Sequence, residues 1–179
     1  RTDKIAYDMN NAVTNALMVA RNTWKYAAKI QTQLDENLPE IPAFPSDINQ
    51  ALFNIIVNAA QAVADLQKTQ SLHEGLITIT SQMGDDCVQI LISDNGVGID
   101  PAIRDRIFDP FFTTRPVGQG AGQGLALAYS SVVEKHQGKL EVQSELGRGS
   151  TFTISLPLVD DDVEDDDQLL TSSDDTATA

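Results

Sequence analysis

The sequence predicts an α+β domain built as a two-layer α/β sandwich. Strand-like runs fall into antiparallel neighbours toward the C-terminal end, "GLITITSQM" with "CVQILISD" and "GKLEVQSE" with "STFTISLP". Helical patterns are inserted earlier in the chain, and that order separates this class from a strictly alternating one. The longest of them, "SDINQALFNIIVNAAQAVADL", carries Ile48, Leu52, Ile55, Ile56, Ala59 and Val63 on one stripe, as a helix laid on a sheet does.

Taken in order, Ile5, Met9, Val13, Leu17 and Ala20 recur at helical spacing and predict a first amphipathic helix over residues 5–20. "AKIQTQLD" alternates as a half-buried strand, and the prolines of "ENLPEIPAFP" mark a loop. Ser46 is placed to cap the long helix. The turn "GDD" joins the next two strands. "PAIRDRIF" is expected as a short helix opened by Pro101, residues 108–123 as an irregular glycine-rich stretch, and "GLALAYSSVVEKH" as a helix ended by Gly138. The two closing strands complete the domain at residue 158.

The chain has 179 residues, 41% hydrophobic and 21% charged, which is ordinary for one globular domain with a tail. A formal net charge of −14 argues against nucleic acid or an anionic membrane as the main partner. Nine of the acidic residues lie in 159–179, where there is no Lys or Arg, so the domain itself is only mildly acidic. That segment is expected to be a disordered tail separate from a domain of residues 1–158. Cys87 is the one cysteine, read as a buried structural thiol; it excludes an internal disulfide. Two histidines and one cysteine without clustering argue against zinc. No run of about 18 apolar residues occurs and no signal peptide opens the chain. Because it begins at Arg1 without Met, it reads as part of something longer.

Three motifs carry chemistry. In "ILISDNGVGID" a strand ends in Asp94, whose carboxylate accepts but cannot donate, so it selects a ligand edge with N–H groups such as the exocyclic amine of adenine. Gly96 and Gly98 allow unusual dihedrals and close approach to a flat ring. Standing alone, "DNG" is also a common hairpin turn. On the long helix, Asn54 and Asn58 share a face one turn apart within an apolar sequence. An amide oxygen there can ligate Mg²⁺ beside phosphate oxygens, or both amides can serve polar groups of the core. In "RPVGQGAGQGLALA", Gly118, Gly120, Gly122 and Gly124 lead into a helix, as a phosphate site or as a plain flexible loop. The spacing is neither that of a dinucleotide fold nor that of a P-loop.

Together, and in this order, "NIIVNAAQAV", "DNGVGID", "IFDPFFTT" and "GQGAGQGLALA" resemble the N, first glycine, F and second glycine boxes of sensor histidine kinases. "VVEKHQGKLEVQSELGRGSTFTISLPL" is similar to the end of their catalytic and ATP-binding domain. The resemblance runs from about Asp8 to Leu158. It implies the Bergerat ATP-binding fold shared with gyrase B, Hsp90 and MutL, a mixed, mostly antiparallel sheet covered by helices on one face.

The resemblance further implies ATP and Mg²⁺ as ligands, with Asn58 on the metal and Asp94 on the adenine. Gly96 and Gly98 would line the base, with Ile99, Leu125 and Thr151 also among the cofactor-binding residues. Phe108, Phe111 and Phe112 would anchor one end of a lid, and Gly120, Gly122 and Gly124 would form its phosphate-facing end. Arg115 sits where a basic residue can meet the γ-phosphate, or is a surface Arg that touches only solvent. Gln123 departs from the Leu that the family commonly has. Members of the superfamily that hydrolyse ATP place a Glu at the position of Asn54, and an amide cannot take up a proton at neutral pH, which favours transfer to an acceptor over hydrolysis.

The acceptor itself is not expected in the chain. His73, in "SLHEGLITIT", reads as an exposed loop residue and His136 as the polar end of the last helix. The implied partners are a dimerisation and phosphoacceptor histidine domain of a homodimeric parent protein, and a response-regulator receiver; no nucleic acid is implied, and this domain is expected in the cytoplasm. A serine-directed kinase of the same fold and a non-catalytic nucleotide-binding module are the alternatives.

Overall fold

The computed structural model describes residues 3–112 and 124–160. The described chain runs β1 (Ile5–Tyr7), α1 (Met9–Val19), α2 (Arg21–Trp24), β2 (Ala28–Gln33), β3 (Ile41–Ala43), α3 (Pro45–Gln67), β4 (Gly75–Met83) and β5 (Cys87–Asp94). A 3₁₀ turn (Arg104–Arg106), α4 (Gly124–Tyr129), a π-helical turn (Ser130–Glu134), β6 (Lys139–Glu145) and β7 (Gly149–Pro157) follow.

Alternation along the strands decides where the core lies. Ile77 and Ile79 of β4, Val88, Ile90 and Ile92 of β5, and Phe152, Ile154 and Leu156 of β7 are all exposed by 1% or less. They point to the side that α1, α3 and α4 cover, against Met9, Val13, Leu52, Ile55, Ile56 and Val132. The intervening Thr78, Thr80, Gln89, Ser93 and Thr153 stay partly exposed on the other face. The sheet order is β2-β4-β5-β7-β6, with β2 parallel to β4 and every other pair antiparallel. This is the mixed, one-face-covered sandwich that the sequence predicts.

Five local expectations change. Residues 5–20 are not one helix: Ile5–Tyr7 pairs antiparallel with Ile41–Ala43 as a small second sheet. Asp8 then starts α1, its carboxylate accepting from the N–H groups of Asn10 and Asn11 at 2.9 and 3.2 Å. The proline-rich stretch read as loop therefore holds β3, and a strand at the edge tolerates Pro42. Ser46 does not cap α3: Phe44 occupies that position with no side-chain bond, and Pro45 opens the helix. "PAIRDRIF" makes turns and a single 3₁₀ turn instead of a helix. At the end of the last helix the left-handed residue is Gln137, at φ 54°, not Gly138. Gly138 is required for another reason, because a Cβ there would lie 2.3 Å from the Ser155 carbonyl oxygen.

The side chains of Cys87 and His73 are half-buried, the first less enclosed and the second less exposed than expected. His136 differs most. It is 1% exposed, and its Nδ1 lies 2.6 Å from the Ser131 carbonyl oxygen while Nε2 accepts from the Phe44 N–H at 3.0 Å. Those two contacts require the neutral ring protonated on Nδ1, and they clasp the end of the last helix to the start of α3. Lys4 sits over the Phe44 ring and donates to Gln137 and Asp160, and Lys135 pairs with Asp47 at 2.8 Å.

Burial holds the His136 pKa below its usual 6.5, against the bond to Ser131, with Lys4 and Lys135 adding to the depression and Asp47 opposing it. The neutral ring of the folded state therefore stabilises the domain fully above pH 6.5, and that contribution is lost as pH falls through the lower folded value. His136→Leu is expected to cost about 1–3 kcal/mol by leaving the Phe44 N–H buried without an acceptor. Denaturant titrations of both proteins between pH 5 and 7.5 should show their difference shrinking as pH falls; a difference independent of pH would contradict the clasp.

Candidate functional site

The chemistry gathers along one stripe of α3. Asn54, Asn58 and Ala62 follow one another at four-residue intervals, so they share a face and together span about 12 Å. Each end of the stripe meets a different element. At the Ala62 end its carbonyl accepts the Val97 N–H at 3.0 Å, which fastens the "DNGVG" loop to the helix. At the other end the Asn54 amide donates to the Gly124 carbonyl at 3.1 Å, where α4 begins. Between them Asn58 is half-buried, and its amide has no hydrogen-bond partner among the described residues.

Asp94 closes the stripe at the loop end. It is the last residue of β5, only 6% exposed, and faces the covered side of the sheet. One carboxylate oxygen accepts the Gly96 N–H at 2.9 Å, whereas Oδ2 is buried with no partner. Burial raises its pKa to about 6, partly offset by the backbone N–H groups of Gly96 and Ser150. An acceptor withdrawn from water and left unsatisfied is costly, and the cost vanishes when a ligand supplies an N–H.

The loop is held in place by its own polar groups. Asn95 accepts the Leu76 N–H on its side-chain oxygen at 2.8 Å and donates to the Glu74 carbonyl at 2.9 Å. His73 Nε2 lies 2.7 Å from the Asn95 carbonyl. The two glycines serve this packing. A Cβ on Gly96 would come within 2.4 Å of the Ala62 backbone, and one on Gly98, at φ 74°, within 2.3 Å of the Glu145 carbonyl oxygen. Both close approaches are to protein backbone, so the glycines act by letting the loop seat beside Asp94.

Ile99 lies half-buried against the core and gives its N–H to Ser144 Oγ at 2.8 Å. Phe108 stacks on Tyr129 with ring centres 5.3 Å apart and meets Phe152 edge-on at 6.3 Å. Phe112 packs against the core beneath Arg106, while Phe111 is exposed by 71% with a φ of 65°. Leu125 is half-buried on α4. Arg115, Gly118, Gly120, Gly122 and Gln123 lie outside the described residues.

Thr151 lines the same polar depression as Asp94, but on the other face of the sheet. It stands opposite Ser93 on the exposed face, their hydroxyls 2.8 Å apart. The residue beside Asp94 is Ser150, its direct partner across the strands, buried and bonded to Ser144 Oγ at 2.8 Å. Strand alternation from Phe152 inward carries that signal, since Ser150 shares its face. That depression, of about 380 Å³, is lined by Ser93, Asp94, Gln143, Arg148, Ser150 and Thr151 among others, but by none of Asn54, Asn58 or Gly124.

Residues 44–160 match the family model described as histidine kinase-, DNA gyrase B- and HSP90-like ATPase. Sensor histidine kinase ZraS of Escherichia coli (strain K12) is 34% identical over 154 residues, covering 86% of this chain and 31% of that protein. Signal transduction histidine-protein kinase AtoS of the same strain is 38% identical over 151 residues, covering 83% and 23% respectively. The chain therefore spans less than a third of the length of these relatives. The catalytic domain of histidine kinase ThkA has the same fold, with a TM-score of 0.73 at 23% identity over 88% of this chain and 97% of that one.

Proposed function

The chain belongs to the histidine kinase-, DNA gyrase B- and HSP90-like ATPase family, and from that membership we propose that it is the ATP-binding catalytic domain of a two-component sensor histidine kinase. The observation that carries the nucleotide site is the buried, unpartnered Oδ2 of Asp94 beside a helix stripe whose middle is the Asn58 amide, which has no hydrogen-bond partner among the described residues. Asp94 accepts the exocyclic amine of adenine. The loop of Gly96, Gly98 and Ile99 holds that carboxylate against α3, and Ser150 stands at its side. The phosphates lie toward Asn58 and the glycine-rich approach to Gly124 and Leu125.

Asn58 is the residue of this chain that holds Mg²⁺, its neutral amide oxygen suiting a hard cation. The metal, when bound, neutralises charge on the phosphates. Everything else the protein does is positioning: it fixes the base, orients the triphosphate and provides no carboxylate base at the Asn54 position for activating water. Phe108 is anchored in the core on Tyr129 and Phe152, and Arg115 is proposed for the γ-phosphate.

The acceptor histidine belongs to a dimerisation domain of a homodimeric parent protein, and a response-regulator receiver takes the phosphoryl group onward. No helix of the described residues is long and apolar enough to cross a membrane. As the catalytic domain of a sensor kinase, the chain is placed in the cytoplasm. Residues 1–158 form the catalytic unit, and 159–179 follow it as an acidic tail whose first described carboxylate, Asp160, is paired with Lys4 at 3.1 Å.

Calorimetric titration with ATP and GTP tests the site. Guanine places a carbonyl oxygen where adenine has its amine, so ATP should bind at least about tenfold more tightly. Equal affinities, or no binding of ATP, would overturn the assignment.

A further inference from the structure

We propose that Asn54 is a positioning residue, an amide latch that fixes the start of α4 on α3, and not a group that touches the transferred phosphate. The proposal rests on the nucleotide site described above, of which α4 is one wall.

Hydrogen-bond chemistry fixes the orientation of the amide. The Gly124 carbonyl can only accept, so the Asn54 atom 3.1 Å from it is the Nδ2 donor. Oδ1 is then turned toward Gln50, whose side-chain Nε2 donates to it at 2.8 Å. Both ends of the side chain are thus engaged, one by its own helix and one by the neighbouring helix. Asn58, one turn along the same stripe, has neither contact and stays available to a ligand. The two asparagines of one motif have separate duties: one holds the wall and the other holds the metal.

The latch also explains why this position cannot be turned into a hydrolytic base by one substitution. A carboxylate at residue 54 still accepts from Gln50 but presents only lone pairs to the Gly124 carbonyl. Repulsion would drive α4 away from the stripe before any water could be activated there. The choice between transfer and hydrolysis is therefore tied to helix packing as well as to the missing base.

Hydrogen exchange on the nucleotide-free protein tests the latch directly. Ala128 and Tyr129 are the first amides that a helix beginning at Gly124 protects. Asn54→Asp and Asn54→Ala should speed their exchange about tenfold, and Gln50→Ala, which only frees the amide to rotate, about threefold. Exchange in β5 should not change in any of the three, which reports that the fold is intact. Asn58→Ala should leave Ala128 and Tyr129 unaltered. With ATP present, Asn54→Asp should raise KM for the nucleotide and leave hydrolysis no faster than in the native protein.

Unchanged exchange at Ala128 and Tyr129 in Asn54→Asp would overturn the latch, as would a tenfold gain in hydrolysis by that variant. Because exchange is read without nucleotide, a protein that shows the exchange pattern but binds no ATP would refute the nucleotide site while leaving the latch standing.

Discussion

Asp94→Asn is expected to make the free domain more stable and its ATP complex weaker. The native carboxylate is buried with one oxygen unpaired, and its pKa is raised from 3.8 to about 6 by desolvation. A group raised in the folded state stabilises fully below its unfolded pKa, and that contribution is lost as pH rises through the folded value. Holding the charge at pH 7.5 therefore costs the free protein up to about 3 kcal/mol. The amide removes that charge, so the variant should unfold at higher denaturant than the native domain above pH 6. Below pH 4 the advantage should disappear.

Binding responds in the opposite direction. The amide can turn an N–H toward the adenine amine in place of an acceptor, and affinity for ATP should fall by about 1–3 kcal/mol. In the native protein the acceptor is lost by protonation as well, so ATP affinity should decline by about tenfold per pH unit below 6. Protonation of the triphosphate affects both proteins, and the difference between them isolates the carboxylate. Calorimetry at pH 5.5 and 7.5 together with denaturant titrations would check all of these outcomes. A variant that is destabilised at pH 7.5 and binds ATP normally would contradict the adenine assignment.

Asn58→Ala is expected to abolish Mg²⁺-dependent phosphoryl transfer while sparing most nucleotide binding. The Asn58 amide makes no hydrogen bond among the described residues, so its removal breaks none there. Alanine is also the better helix former by about 0.6 kcal/mol, and the melting temperature should hold or rise. Transfer should fall at least about a hundredfold, whereas binding of ATP in chelator should change only about twofold, because the base end of the site is untouched. Titrations with and without Mg²⁺ decide the matter. Equal metal responses in the two proteins, with transfer intact, would remove Asn58 from the metal site.

How far these residues could be read from the sequence depended on whether their role is local. The stripe of Asn54 and Asn58 was legible because four-residue spacing fixes a helix face before any tertiary contact forms. Asp94 was legible because polarity at a strand end violates the apolar alternation of β5. What the sequence concealed were partnerships across long separations. Ile5–Tyr7 fits a helical period, and only its pairing with Ile41–Ala43 makes it a strand. His136 looks like a polar helix end until the Phe44 N–H, ninety-two residues away, reaches it.

Register produced the subtlest difference. Ser150 and Thr151 are adjacent, both hydroxyl-bearing and both on β7, but successive strand residues point to opposite faces. The buried Phe152 assigns Ser150 to the side of Asp94. The sequence assigns Gly96 and Gly98 to close approach against a flat ring, whereas the surfaces they approach in the fold are the backbones of α3 and of Glu145. A sequence can declare that a side chain must be absent without declaring what fills the space.

Incubation of the domain with γ-labelled ATP, alone and with the histidine-bearing dimerisation domain of its parent protein, addresses the central claim. Alone, the domain should acquire no acid-labile label: both nitrogens of His136 are engaged in the core, and His73 is bonded to the loop carbonyl of Asn95. Free phosphate should also accumulate slowly, since Asn54 provides no base. With the partner present, label should appear on the partner's histidine, and Asp94→Asn and Asn58→Ala should each suppress it. Acid-labile label on this chain by itself, lost in His73→Ala, would contradict the account.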